Sequence, residues 1–170
     1  MQRWSCFNTT QIKMVLGARV RAETLVTEYY RVAPREWQQM RYEVKTLRLL
    51  DSSEVSDRAL AQTVCYGFER KAGPTVLEEG ELYRICLQDH RILSAAERDC
   101  VGLEPLLTYV LTHELVHVVR FGQRLQRLDL PLEMRPQEEQ HVEKTTRAIL
   151  AKSGDADLRL VLSKAIAQAD

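Results

Sequence analysis

The sequence predicts an α+β protein of one domain, residues 1–170, with a small antiparallel or mixed sheet packed on a central helix and further helices at both ends. Three observations predict it. Apolar residues recur at helical spacing near both ends and again over 103–121. Strand-forming residues occupy two short runs between those regions. No repeat, low-complexity tract or long linker divides the chain, whose 170 residues suffice for one sizeable core.

Taken in order, Thr9 or Thr10 can cap a helix running to about Tyr30. Ile12, Val15, Leu16 and Val20 supply its apolar stripe, and Pro34 closes the region. Glu36 to Leu50 is mixed, since Tyr42, Val44 and Leu47 suit a helix or a strand. Asp51-Ser52-Ser53 reads as a turn or cap. The run AQTVCYGFER, Ala61 to Arg70, carries Val64, Tyr66 and Phe68 in alternation and predicts a strand. Ala72-Gly73-Pro74 breaks it, and Glu78 to Gly80 predicts a second turn. LYRICL, Leu82 to Leu87, predicts another strand, and Asp89-His90 a turn into a third at Arg91 to Ser94. Leu103, Leu106, Leu107, Val110, Leu111, Val118 and Phe121 then share helical spacing, with Pro105 in the first turn and Gly122 as terminator. A connector from Gln123 to Pro136 leads to a helix over Gln137 to Lys152, built on Val142, Thr145, Thr146 and Ile149. Ser153-Gly154-Asp155 stops it, and Ala156 to Ala169 forms a last amphipathic helix.

Composition excludes several classes. Lys plus Arg equal Asp plus Glu at 24 each, so no basic footprint for nucleic acid or anionic lipid is expected. Lys13, Arg19, Arg21 and Glu23 interrupt the first thirty residues, so no export signal is expected there. No stretch approaches the roughly 18 apolar residues of a membrane span. Cys6, Cys65, Cys86 and Cys100 form no CxxC pair, which argues against a zinc ribbon. They are expected as reduced, small core residues of a cytoplasmic protein.

His113-Glu114-Leu115-Val116-His117 is an HExxH motif on a predicted helix. Residues four apart lie one turn apart on one face, so both imidazoles can reach a single metal ion. Glu114 projects about 100° further round and can meet a water polarised by the metal rather than the metal itself. Two imidazoles and a carboxylate suit one Zn2+ per chain, and Glu114 can act as general base for hydrolysis. Tyr109, Val110, Leu111 and Thr112 before the motif, and Val118 and Val119 after it, place it along a buried helix.

VLTHELVHVVRF resembles the active-site helix of the zincin metallopeptidases. The metzincin continuation, a glycine and third histidine close behind, is absent, which leaves the gluzincin branch. LYRICLQDH and LTHELVHVVRF also resemble small bacterial zincin-like proteins. The resemblance covers about Leu103 to Leu150. It implies a zincin-like peptidase domain, a peptide or protein substrate held extended along an edge strand, and a third metal ligand on the following helix. Gln137-Glu138-Glu139-Gln140-His141-Val142-Glu143 offers that ligand. Glu139 is the choice, because it brings Glu143 one turn later as a carboxylate to orient a histidine. Glu138, Glu143 and His141 remain alternatives.

His141, Tyr83, Tyr109 and Arg120 are candidate hydrogen-bond donors to a transition state, each read first as structural, and His90 is expected to be solvent-exposed in its turn. Two competing functions follow from the same residues. Glu114-Leu115-Val116-His117 and Glu138-Glu139-Gln140-His141 are two ExxH motifs, as in di-iron carboxylate helix-bundle oxidases. The fold could also serve as a catalytically inactive peptide-binding module.

Overall fold

The computed structural model describes residues 4–71, 74 and 77–165. It is α+β, with six helices and a three-stranded mixed sheet among these residues: α1 (Thr9–Tyr30), α2 (Pro34–Gln39), β1 (Tyr42–Lys45), β2 (Ala61–Lys71), β3 (Leu77–Leu87), α3 (Asp89–Asp99), α4 (Leu103–Gly122), α5 (Arg135–Ala151) and α6 (Ala156–Ala165). The sheet order is β1-β3-β2. β1 runs parallel to β3, with Tyr42 opposite Tyr83, and β2 runs antiparallel to it, with Thr63 opposite Ile85.

The centre of the molecule is α4. Leu107, Leu111, Leu115, Val116, Val118 and Val119 are wholly buried, and the helix packs against α1, α3, α5, α6 and β2. A helix apolar on most of its circumference can be satisfied only by neighbours on several sides. On α1 the buried stripe is Val15, Ala18, Ala22 and Val26. The two alanines are small enough to bring α1 close to α4. The expected stripe was therefore displaced: Leu16 and Val20 lie 57% and 68% exposed.

Several local expectations are corrected by capping and periodicity. The cap of α1 is Asn8, not Thr9 or Thr10; its side chain accepts from Gln11 N, and the Gln11 side chain accepts from Asn8 N, a reciprocal capping box. Pro34 opens α2 instead of closing the region, since its fixed φ and missing N–H suit a first helical turn. Glu78 to Gly80 is not a turn, because the β2–β3 ladder continues to Lys71 opposite Leu77. Ala72 and Gly73 of the expected break lie outside the described residues, as do residues 166–169 of the last expected helix. Arg91 to Ser94 is helical, not a strand. Ile92 and Ala95, three apart, are buried on one face of α3, and the buried Asp89 carboxylate at its start accepts from Phe7 N and Leu47 N. Of the four cysteines only Cys86 is fully buried; Cys100 is exposed, capping α3 at a φ of 50°.

Gly122, at the end of α4, meets the side chain of the buried Met40 so closely that a Cβ would lie 2.3 Å from its Cγ. A glycine permits this approach of the residue that ends α2. The outer face of the sheet carries a charged cluster. Glu54, 2% exposed, accepts hydrogen bonds from Tyr66, Asp51 N and Arg84. No described helix is long and apolar enough to cross a membrane.

Two outcomes are expected. Leu107→Ala should remove about 2–5 kcal/mol of stability in a urea titration, as a buried leucine with little room to collapse does. The hydrogen bond from Tyr66, joined by Asp51 N and Arg84, outweighs burial and holds Glu54 at about 2, below its ordinary value of 4.5. Its stabilising contribution is present above pH 4.5 and lost as pH falls toward 2. Glu54→Gln should thus lower the melting temperature at pH 7 and flatten its decline between pH 4.5 and pH 2.

Candidate metal centre

α4 and α5 bring the site together. His113 and His117 stand one turn apart on α4, with ring centroids 5.2 Å apart. α5 packs on α4 through Val142, Thr145, Thr146, Ile149 and Leu150. That contact aims the preceding turn, with Glu139, at the two rings. Glu139 Oε1 lies 2.7 Å from His113 Nε2, and Oε2 lies 3.2 Å from His117 Nε2. One ligand atom from each of these three residues falls within 4.8 Å of the others, and this is the group among the described residues that could hold a metal ion.

Each remaining ring nitrogen has a polar side chain beside it. Gln126, on the connector, sits with Oε1 3.2 Å from His117 Nδ1. Glu143 Oε2 lies 3.3 Å from His113 Nδ1, although the approach is poorly directed and the nitrogen lacks a well-formed hydrogen bond. Glu143 is itself fixed by Tyr109, whose hydroxyl donates over 2.9 Å, and by Arg147 at 2.8 Å. With Gln126 bonded at His117 Nδ1 and Glu143 near His113 Nδ1, both Nε2 atoms face Glu139. This fits the demand that a metal-bound imidazole be oriented through its other nitrogen.

Glu114 is close but separate. It is 6% exposed, and its Oε2 accepts a 2.8 Å hydrogen bond from the Thr63 hydroxyl on β2. Thr63, Cys65 and Gly67 form the face of β2 turned toward α4. Cys65 lies opposite Tyr83, whose ring stacks on Phe121 of α4. A cleft of about 760 Å³ runs between β2 and α5 over the two histidines. Arg58 to Thr63 form one wall, and Pro136, Glu139, Gln140 and Glu143 face them.

The alternatives for the third ligand lie elsewhere. Glu138 forms an ion pair with Arg120. Glu143 reaches the outer nitrogen of His113, not the inner one. His141 is exposed on α5. The second ExxH motif therefore does not gather on the first. Tyr83 is buried, with its hydroxyl on Glu81. His90 is not the exposed turn residue expected: its side chain is 10% exposed, packed against Trp4 with Asp57 3.4 Å away. Sequence reading missed Thr63, Gln126 and Arg147. Arg147, one turn after Glu143, had a helical signal; the other two become neighbours of the site only through tertiary packing.

The neighbouring carboxylates raise the proton affinity of both rings. Burial pushes His113 down, but the neighbouring Glu139 and Glu143 carboxylates outweigh it and hold the ring at about 10. Burial also lowers His117, and Glu139 and Glu114 again outweigh it. Glu139 is held far below the carboxylate range by both histidines. Comparison with family models, curated proteins and solved structures finds no match for this chain.

A divalent ion would compete with protons for the two Nε2 positions. Zinc binding at pH 7 should release roughly one to two protons, read by calorimetry in buffers of different ionisation enthalpy. Apparent affinity should weaken steadily as pH falls below the raised histidine values. Binding without proton release would contradict the assignment.

Proposed function

We propose that this chain is a zinc-dependent hydrolase of zincin-like fold, acting on peptide bonds. The observation that carries the reading is the convergence of His113 Nε2, His117 Nε2 and Glu139 beside a separately held Glu114. Two neutral imidazoles and a carboxylate form the donor set of a catalytic zinc with one position left for water. When bound, the ion would supply Lewis acidity to a water and to the carbonyl oxygen of the substrate.

The chain's own groups do the rest. Glu114 accepts a proton from the attacking water, whose oxygen bonds to the carbonyl carbon. The same proton passes to the departing amine nitrogen as the C–N bond breaks. Glu143, braced by Tyr109 and Arg147, keeps His113 turned inward, and Gln126 does so for His117.

A peptide is favoured over a small ester by the shape of the cleft. β2 pairs with β3 on one side, and no partner strand is described on its other side. Six consecutive residues, Arg58 to Thr63, line the cleft, so the chain is presented edge-on. An extended polypeptide can add to such an edge through main-chain hydrogen bonds.

Single substitutions separate the roles. His113→Ala and His117→Ala should each lose stoichiometric zinc in equilibrium dialysis. Glu114→Gln should keep one zinc and lose at least about 100-fold in cleavage of a mixed fluorogenic peptide library, the span ordinarily supplied by general acid–base catalysis. Full activity in Glu114→Gln would remove its assigned role.

A further inference from the structure

We propose that Thr63 is the residue that makes Glu114 a base and not a metal ligand, by fastening one of its oxygens to the substrate-side strand; the inference rests on the hydrolase reading above. The geometry is specific. The Thr63 hydroxyl has one proton, and Glu114 Oε2 accepts it at 2.8 Å. Thr63 sits on β2 with regular register, opposite Ile85, so its position is fixed by the ladder and not by a loop. Ile85 is wholly buried, which leaves that part of the sheet little room to shift.

The need for such a tether follows from charge. A buried carboxylate next to two metal-bound imidazoles is drawn to the cation they hold. If Glu114 rotated to reach it, Glu114 would occupy the position that water needs and could no longer accept the water's proton. Glu139 and Glu143 cannot prevent this, because they face the histidines from α5. The group that holds Glu114 back from the other wall of the cleft is Thr63. Its hydrogen bond leaves Oε1 free for the proton, and it can persist while Oε1 is protonated. Thr63 is therefore a positioning residue. It also ties the base to the strand whose free edge borders the cleft, so substrate and base share one rigid support.

The test uses Thr63→Val, which keeps shape and removes the hydroxyl, and Thr63→Ser, which restores it. Thr63→Ala serves as a second removal should the valine variant lose its cooperative melt. Acetohydroxamate, which chelates a metal while giving a proton to a neighbouring base, is titrated into the cobalt-substituted full chain and followed by visible absorption. This readout does not depend on turnover. Thr63→Val should bind cobalt with unchanged or tighter affinity, shift its visible bands as the carboxylate replaces water, and weaken acetohydroxamate about tenfold. On the peptide library with zinc, kcat should fall about tenfold or more with KM little changed. Thr63→Ser should recover both. Wild-type hydroxamate affinity and kcat in Thr63→Val would overturn the proposal, as would equal impairment of the serine and valine variants. If the wild-type zinc protein cleaves no peptide while hydroxamate binding still depends on the hydroxyl, the hydrolase reading fails and the tether stands.

Discussion

Polar chemistry must be placed on the most buried helix of this protein, and the rest of the fold follows from that constraint. α4 is enclosed on nearly every side, yet it carries His113, Glu114 and His117. Each of these groups would be costly in an apolar setting without a partner. Each receives one from a different element: Glu143 and Glu139 from α5, Gln126 from the connector, and Thr63 from β2. The cleft lies where those elements meet over His113 and His117.

The surrounding charges follow the same logic. Arg147 is bonded to Glu143, and Arg120 to Glu138. The first pair steadies the carboxylate behind His113. The second ties α4 to α5 just beyond His117 and removes Glu138 from the cleft. A hydrogen bond to an ionised partner is stronger than a neutral one, so the Arg120–Glu138 pair helps fix the angle between α4 and α5 that presents Glu139. Burial raises the Tyr109 hydroxyl far above its ordinary value, with Glu143 adding to the effect, so it stays a donor. Cys86, pushed up to about 12 by burial first, stays a protonated thiol on the outer side of the sheet.

Much of this was legible in the sequence because it depends on short-range spacing. The i, i+4 histidines, the helix around them, and the run of acids on the next helix are all local patterns. The choice of Glu139 over Glu138 was not settled by helical angle, since both flank the Val142–Ile149 face. Arg120, on another helix, is what draws Glu138 aside. The errors arose where two periods overlap or where contact is long-range. Arg91-Ile92-Leu93-Ser94 fits a strand in isolation, and only the burial of Ile92 together with Ala95 makes it helical. In α1, the larger apolar residues Leu16 and Val20 drew the stripe toward themselves, while close approach to α4 requires the alanines. Thr63 had no signal of its own, since its partner is 51 positions away.

X-ray absorption at the zinc edge on the metal-loaded full chain tests the central claim most directly. The account requires one zinc with only nitrogen and oxygen neighbours at about 2.0–2.2 Å, multiple-scattering features of two imidazoles, and loss of those features in His113→Ala. A sulfur shell at about 2.3 Å, or an ion whose surroundings do not change in that variant, would place the metal elsewhere and contradict it.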